Sequence, residues 1–386
     1  MPFRVPYRSN DVTAKTTIKE SRRIVIKIGS ALVTDEKSGS VRRDWLDSLA
    51  ADVKGLTDRG KEIIIVSSGA IALGRKALGI SYKQARASIP LEMKQAAASV
   101  GQVCLSRAYD ESFDREGLKV GMILLTPRDT EERRPHLNAR ATLHALLDKG
   151  IIPVINENDT VSTAEIRFGD NDRLAARVAQ MIDADLLIQL STTDGLYTAD
   201  PTKDSGATHI PLVETLSAAH FDMAGDAQAG ISTGGMKSKL EAARLSTAAG
   251  VSMLVAKGTD LHPLRDIQKC TLFKAVGTPA SARKKWIGSH LEAKGVLTID
   301  EGAQRALLNG KSLLPAGVVS LQGNFERGDV VSIVSPEGKK MAMGLIAYNS
   351  TDARKILGKK SDEIPEILGY FIRPELIHRQ DLVLQG

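Results

Sequence analysis

Two lysines beside glycine-rich turns are the side chains of this chain best suited to chemistry on a phosphoryl group. Lys27 interrupts the apolar run Ile24–Ile28, which a Gly-Ser pair follows directly. Lys239 ends the segment Thr233–Lys239, in which two adjacent glycines precede a helical pattern. A glycine turn that opens onto a helix presents backbone N–H groups to anions, and lysine adds a mobile positive charge. The pair predicts two cations at the ends of a transferred phosphoryl group.

Each lysine also has an ordinary structural explanation. A lysine near a strand end can extend its ammonium group to water along apolar surface, and a glycine turn before a basic helix start is common at protein surfaces. The run around Lys27, however, is typical of a strand buried on both faces of a parallel sheet. Because an unpaired charge is costly in such a strand, Lys27 favours the functional interpretation.

Polar residues collect after another predicted strand and before another predicted helix. The strand Ile151–Ile155 is followed by Asn156-Glu-Asn-Asp159, and further along the chain Gly169–Asp172 precedes a helix. One Asp or Asn is an ordinary helix cap, but three in a row exceed what one cap requires. Together the two clusters offer donors and carboxylates that suit the ammonium and carboxylate groups of an amino acid.

Two further turns carry hydroxyl groups. Ser67 and Ser68 follow one apolar strand and suit a small anionic ligand or a phosphate, although a plain strand-to-helix turn explains them equally well. Ser191 and Thr192 follow another strand, in a turn that could frame a nucleotide. Ligands of α/β sheets bind at the carboxyl ends of the strands, so all these clusters are expected at one edge of a sheet.

Strand and helix patterns alternate from Arg23 to about Ala256. Short apolar runs predict strands at Ile24–Ile28, Ile63–Val66, Val120–Leu125, Ile151–Ile155, Leu186–Leu190 and Val251–Val255. Helical spacing predicts helices over Trp45–Leu56, from Pro90 through Val100, and over His136–Lys149, Asp172–Ile182 and Lys239–Ala249. This order favours an α/β fold with a mostly parallel sheet sandwiched by helices.

The C-terminal part has a different pattern. Short apolar runs at Gly295–Ile299, Gly317–Leu321, Val330–Val334 and Met341–Tyr348 predict a small, mostly β domain. We therefore divide the chain into a flexible N-terminal extension (1–21), an α/β domain (22–276), a basic linker (277–290) and the mostly β domain (291–386).

Composition narrows the class of protein. The chain has 386 residues, a formal net charge of +6 and two cysteines, Cys104 and Cys270. So few cysteines argue against a disulfide framework and favour a cytoplasmic location. The seven histidines show no metal-ligand spacing, so we expect no protein-bound metal site. No apolar run reaches membrane-spanning length, so we expect no membrane partner.

These segments together resemble the glutamate 5-kinases of the amino acid kinase superfamily. The resemblance covers nearly everything from Arg23 onward. It is carried by Ile26–Ser30, Val66–Ala72, Pro153–Asp159, Gly169–Asp172, Gly195–Pro201 and Thr233–Lys239. The Asn-Glu-Asn-Asp and Gly-Asp-Asn-Asp pair is specific within the superfamily. The tail Gly317–Ile346 is similar to a PUA domain.

The resemblance implies that ATP phosphorylates the γ-carboxylate of L-glutamate to L-glutamyl 5-phosphate, the first step of proline biosynthesis. It implies that Lys27 and Lys239 stabilise the phosphoryl group in flight and that Asp172 holds both lysines. Glutamate would be bound by Ser68, Asp159, Asn171, Asn156 and Asp170. The nucleotide would contact Lys27, Gly29, Ser30, Ser191, Thr192, Thr233, Gly234, Gly235, Met236, Lys237, Ser238 and Lys239. Many family members have Asp at the position of Thr192.

The resemblance further implies Mg²⁺ bound with the nucleotide, a homo-oligomer (dimer or tetramer), a proline feedback ligand and hand-over of the product to a glutamyl-phosphate reductase. Two alternatives stay open: an RNA-binding protein that acts through the PUA-like domain, and a related amino acid kinase with another acceptor. The basic run Arg283–Lys285 favours RNA, whereas an aromatic content of 4% offers few stacking platforms for bases.

Overall fold

A computed structural model describes residues 10–35, 38–81, 84, 88–161, 171–224, 235–265, 267–282 and 293–384. The chain divides into two compact units, of which the first ends at Pro279 and the second begins at Ala280. Across these ranges no helix is long and apolar enough to cross a membrane. The predicted basic run Arg283–Lys285 lies outside the described residues.

Strands and helices alternate along the first unit. Its strands are β1 (Arg23–Ile28), β2 (Glu62–Ser67), β3 (Val120–Leu125), β4 (Ile152–Glu157), β5 (Leu186–Ser191), β6 (Leu196–Tyr197), β7 (His209–Ile210), β8 (Leu212–Val213), β9 (Ser252–Lys257) and β10 (Cys270–Phe273). Its helices are α1 (Asn10–Glu20), α2 (Ser30–Val33), α3 (Arg43–Thr57), α4 (Ala70–Ala77), α5 (Leu91–Asp114), α6 (Pro127–Glu131), α7 (Arg133–Asp148), α8 (Asn171–Met181), α9 (Ala218–Met223) and α10 (Met236–Ala248).

One eight-stranded sheet organises the described part of this unit, in the order β3-β4-β2-β1-β5-β9-β10-β8. Its neighbouring strands run parallel except for β9 and β10. All six predicted strands lie in this sheet, which confirms the mostly parallel α/β fold. Strands β8 and β10 and the separate β6–β7 ribbon were not predicted, because runs of two to four residues carry too little periodicity.

Strand alternation separates two apolar layers and decides where Lys27 points. Ile24, Ile26 and Ile28 pack into one buried cluster, whereas Val25 packs into the other with residues of α8 and α10. Successive side chains of a strand face opposite sides of the sheet. Lys27 therefore lies on the same face as Val25, under α8 and α10.

Two glycines let α4 and α5 pack in close contact. A Cβ atom at Gly101 would lie 1.8 Å from the carbonyl oxygen of Ala70, and one at Gly74 would lie 1.8 Å from the carbonyl oxygen of Ala97. No larger residue fits at either position without moving a helix backbone. The close packing fixes the position of α5 against α4.

The N-terminal segment differs from expectation. We expected residues 1–21 to form a flexible extension, whereas Asn10–Glu20 form helix α1. Ala14 and Ile18 lie one helical turn apart, and both are buried in the apolar cluster that contains Ile24. Two apolar residues at this spacing are a weak sequence signal, and contact with the core decides the outcome.

The second unit contains one five-stranded sheet within the described range, in the order β12-β11-β13-β14-β15. Its elements are β11 (Gly295–Ile299), α12 (Glu301–Leu308), β12 (Val318–Gly323), β13 (Val330–Val334), β14 (Lys340–Leu345), α13 (Ser350–Ile356), α14 (Ile364–Leu368) and β15 (Leu382–Leu384). The four predicted β runs are β11 to β14, although β14 ends at Leu345 rather than Tyr348. A tight turn joins β13 to β14, where Ser335 N–H donates to the Lys339 carbonyl.

Candidate active site

The carboxyl ends of the central strands lie side by side at one edge of the sheet. Ile28, the last residue of β1, pairs with Ser67 of β2 and with Leu190 of β5. The turns that begin at Gly29, Ser68 and Ser191 are therefore neighbours. The sequence predicted that these turns would share an edge, and the strand register brings them together there.

Lys27 and Lys239 converge on one carboxylate. Lys27 Nζ forms an ion pair with Asp172 Oδ1, and Lys239 Nζ lies 3.2 Å from Asp172 Oδ2. All three residues are buried: Lys27 is 7% exposed, Lys239 4% and Asp172 1%. Strand β1 supplies the first lysine, α10 the second, and the first turn of α8 the carboxylate. Together the three groups have one positive charge in excess.

Asp172 is ionised at neutral pH despite its burial. Burial acts to raise the pKa of this carboxyl, but the ammonium groups of Lys27 and Lys239 outweigh burial and hold the pKa well below its usual value. Ser238 Oγ adds a hydrogen bond of 2.7 Å to Asp172 Oδ2. The carboxylate thus holds both ammonium groups close together, an arrangement suited to an anion.

Helix α10 begins earlier than predicted. The helical pattern indicated a start near Lys239, whereas the helix starts at Met236, directly after Gly235, which has an extended conformation (φ −68°, ψ 179°). Met236 is half-buried against the apolar cluster that contains Val25. The earlier start places Lys239 on the buried side of the first turn, while Lys237 is exposed.

A network of side-chain amides lies beside the lysines. Asn171 Nδ2 donates to Ser68 Oγ (2.7 Å) and to Asn156 Oδ1 (3.1 Å). Asn156 Nδ2 donates in turn to Gln102 Oε1, at 2.9 Å. Asn171 Oδ1 is buried and accepts no hydrogen bond from any residue that the structure describes. This acceptor is available for a donor such as the ammonium group of a ligand.

Other predicted site residues have less distinctive surroundings. Asp159 is buried two residues beyond β4, Ser191 is half-buried and Thr192 is exposed. Gly29 precedes the short helix α2, which Ser30 begins. Asp170, Thr233 and Gly234 lie outside the described residues. The assigned roles of all these residues stay predictions.

Two glutamines near the site were missed. Gln189 interrupts the apolar strand β5 next to Lys27, as Lys27 interrupts β1. The same signal, a polar residue in a doubly buried strand, could have found it. Gln102 lies on α5, and no local pattern distinguishes it from other polar helical residues. Its proximity to Asn156 arises from the packing of α5 against α4 and β3.

Among the described residues, no group of three or more His, Cys, Asp or Glu side chains could hold a metal ion. Mg²⁺ commonly takes phosphate oxygens and water, with only one or two carboxylates from the protein. The residues present therefore fit a cation that a nucleotide carries by its phosphates, not one bound by the protein alone.

Comparison with known proteins matches both units. A family model described as the amino acid kinase family matches residues 22–257, and a model of the PUA domain matches residues 295–368. Glutamate 5-kinase of Brucella ovis is 52% identical over 372 residues, which cover 96% of this chain and 97% of the relative. Glutamate 5-kinase of Brucella anthropi is 53% identical over the same shares. Among solved structures, UMP kinase of Ureaplasma parvum has a TM-score of 0.46 at 14% identity and covers 66% of this chain and 98% of its own.

Proposed function

The chain belongs to the amino acid kinase family and, within it, to the glutamate 5-kinases, and from this membership we infer that it transfers a phosphoryl group from ATP to L-glutamate. The acceptor is the γ-carboxylate, the product is L-glutamyl 5-phosphate, and the reaction is the first step of proline biosynthesis. A PUA domain follows the kinase domain.

The observation that carries the proposed mechanism is the convergence of Lys27 and Lys239 on Asp172. The attacking group is the substrate's own carboxylate, so the protein need not supply a nucleophile. Its task is to align two anions and to offset their repulsion. Two buried ammonium groups, with one carboxylate between them, provide that positive charge at fixed positions. We assign the lysines to the transferred phosphoryl group and Asp172 to holding both lysines.

The amide network supports a neighbouring site for the amino acid. Asn171 Oδ1 is a buried acceptor without a partner among the described residues. Asp159, two residues beyond the end of β4, is a buried carboxyl. A free α-ammonium group needs such acceptors. We assign Ser68, Asn156, Asn171, Asp159 and Asp170 to glutamate.

We assign the nucleotide to the turns at Gly29, Ser30, Ser191 and Thr192. We also assign it to the segment that leads into α10 and to the first turn of that helix: Thr233, Gly234, Gly235, Met236, Lys237, Ser238 and Lys239. When bound with the nucleotide, Mg²⁺ would neutralise charge on the phosphate oxygens. A cytoplasmic location, a homo-oligomer, proline feedback and hand-over to a glutamyl-phosphate reductase are further proposals from family membership.

A coupled ADP-release assay tests the acceptor. Purified protein with Mg-ATP is offered L-glutamate, N-acetyl-L-glutamate, L-aspartate, or bicarbonate with ammonia. We expect turnover with glutamate alone, because acetylation removes the ammonium group that Asn171 and the carboxylates would bind. Robust turnover of N-acetylglutamate would overturn the substrate assignment, and no turnover with any acceptor would overturn the reaction.

A further inference from the structure

Helix α5 reaches the proposed glutamate site through Gln102. Gln102 Oε1 accepts a hydrogen bond from Asn156 Nδ2 at 2.9 Å, and Gln102 Nε2 lies 3.2 Å from Met122 Sδ. Gln102 is half-buried and Asn156 is buried. Both heteroatoms of the Gln102 amide therefore have a partner, and its acceptor faces Asn156.

Backbone chemistry determines which way the neighbouring amides point. The N–H of Glu157 can only donate, and it donates to Asn156 Oδ1 at 2.9 Å. Asn156 Oδ1 also faces Asn171, so Asn171 must present its Nδ2 there, as observed. The Nδ2 of Asn156 is then directed to the opposite side, where it requires an acceptor. Gln102 Oε1 is that acceptor.

The orientation of Asn171 follows from the same chain of bonds. Asn171 Nδ2 is shared among Asn156 Oδ1, Ser68 Oγ and, at 3.3 Å, the Ser67 carbonyl oxygen. The carbonyl oxygen of the Asn171 amide is directed away from these acceptors and is the unpartnered acceptor described above. If Asn156 lost its partner at Gln102, its buried amino group would be unsatisfied and the side chain would be driven to reorient. Reorientation of Asn156 would remove one of the three acceptors that hold the Asn171 amino group and would weaken the orientation of that side chain.

We propose that Gln102 is a positioning residue for the amino acid substrate, which acts through Asn156 to direct Asn171 Oδ1 at the substrate ammonium group. This inference rests on the proposed function, because it assigns Asn171 to glutamate. Gln102 makes no contact with Lys27, Lys239 or Asp172 in the described bonds, so its effect should be confined to binding of the amino acid.

Steady-state kinetics of Gln102→Leu and Gln102→Met test the proposal. Each variant removes the carbonyl acceptor, and methionine keeps the length and flexibility of the side chain if leucine perturbs folding. One neutral hydrogen bond corresponds to about a tenfold change in binding. We expect KM for glutamate to rise about tenfold, with kcat and KM for ATP within about threefold of the parent.

A double-mutant cycle with Asn171→Ala separates positioning from general stability. If Gln102 acts through Asn171, Gln102→Met should have little effect on KM for glutamate once Asn171 is alanine. Arg107→Leu is the matched control on α5, because the described bonds of Arg107 reach only Glu111 on the same helix. The control should leave all three kinetic constants unchanged.

Three results would overturn the positioning role: an unchanged KM for glutamate in Gln102→Met, equal losses in kcat and in both KM values, or full additivity in the cycle. Failure of the proposed function gives a different result. If Asn171→Ala alone leaves KM for glutamate unchanged, the substrate site is misassigned, whereas an effect of Asn171→Ala without one of Gln102→Met refutes only the inference about Gln102.

Discussion

We expect Gln189 to make the first unit less stable than an apolar residue at the same position would. It lies at the centre of the sheet, opposite Lys27 in the register of β1 and β5, and it is 0% exposed. Neither its amide nitrogen nor its amide oxygen has a hydrogen-bond partner within the part of the chain that the structure describes. Buried polar groups nearly always have such partners, so replacement by an apolar residue of similar volume should be favourable.

The size of the effect of Gln189→Leu follows from three contributions. Each unsatisfied buried polar group costs about 1–3 kcal/mol, and leucine removes two such groups. Leucine has one heavy atom fewer, and the small cavity left behind offsets about 1 kcal/mol of the gain. We expect a net increase of about 1–5 kcal/mol in the free energy of unfolding. For a unit of this size, that corresponds to a rise of roughly 2–20 °C in Tm.

Differential scanning calorimetry measures this shift. The two units can unfold separately, so the relevant transition is identified as the one that ATP raises. Gln180→Leu on the exposed side of α8 is the matched control, expected within about 0.5 kcal/mol of the parent. If Gln189→Leu left Tm unchanged or lowered it while the control behaved as expected, the amide would have partners in solution and the reasoning would be wrong.

Three further predictions concern the site and its supports. Asp172→Asn leaves two buried lysines without their carboxylate, so we expect a loss of about 3–5 kcal/mol in urea denaturation. Because its pKa is depressed in the folded state, the stability that Asp172 contributes should be complete above the unfolded-state pKa of about 3.9 and lost as pH falls through the folded-state pKa. The parent should therefore lose stability in acid more steeply than Asp172→Asn does, and parallel curves would contradict the ion pairs. Lys239→Met should lower kcat about a hundredfold to a thousandfold while the far-UV circular dichroism spectrum stays unchanged. The control is Arg244→Met, because Arg244 is exposed on the same helix. If Lys239→Met were as active as the parent, the assigned role of Lys239 would be wrong. Gly101→Ala should destabilise the protein by about 1–3 kcal/mol or more, since its Cβ would lie 1.8 Å from a backbone oxygen, and an unchanged Tm would show that α4 and α5 can separate freely.

Much of the first unit was predictable because the inner strands of its sheet are buried. A strand with both faces covered is a short apolar run, so β1, β2, β4, β5 and β9 were located within one or two residues. The edge strand β3 is only partly buried, and its apolar run was located as well. The same property made Lys27 conspicuous, since a charge in such a run requires a partner. The identity of that partner was expected only from family resemblance, not from any local pattern.

Elements that depend on distant contacts were not predicted. Helix α1 forms because two of its residues reach the core. Strands β8 and β10 are too short to carry a periodic signal. The start of α10 at Met236 likewise depends on packing against the sheet rather than on helix propensity.

The amino-acid sequence alone determined which residue types follow each strand, and therefore which edge of the sheet carries polar chemistry, because parallel strands place their carboxyl ends together. Only the tertiary structure decided which of those groups meet. Strand alternation turned Lys27 toward α8, the early start of α10 turned Lys239 toward the same carboxylate, and the close packing of α4 and α5 accompanies the approach of Gln102 to Asn156. Each of these contacts joins segments far apart along the chain, so no local pattern in the sequence could specify it.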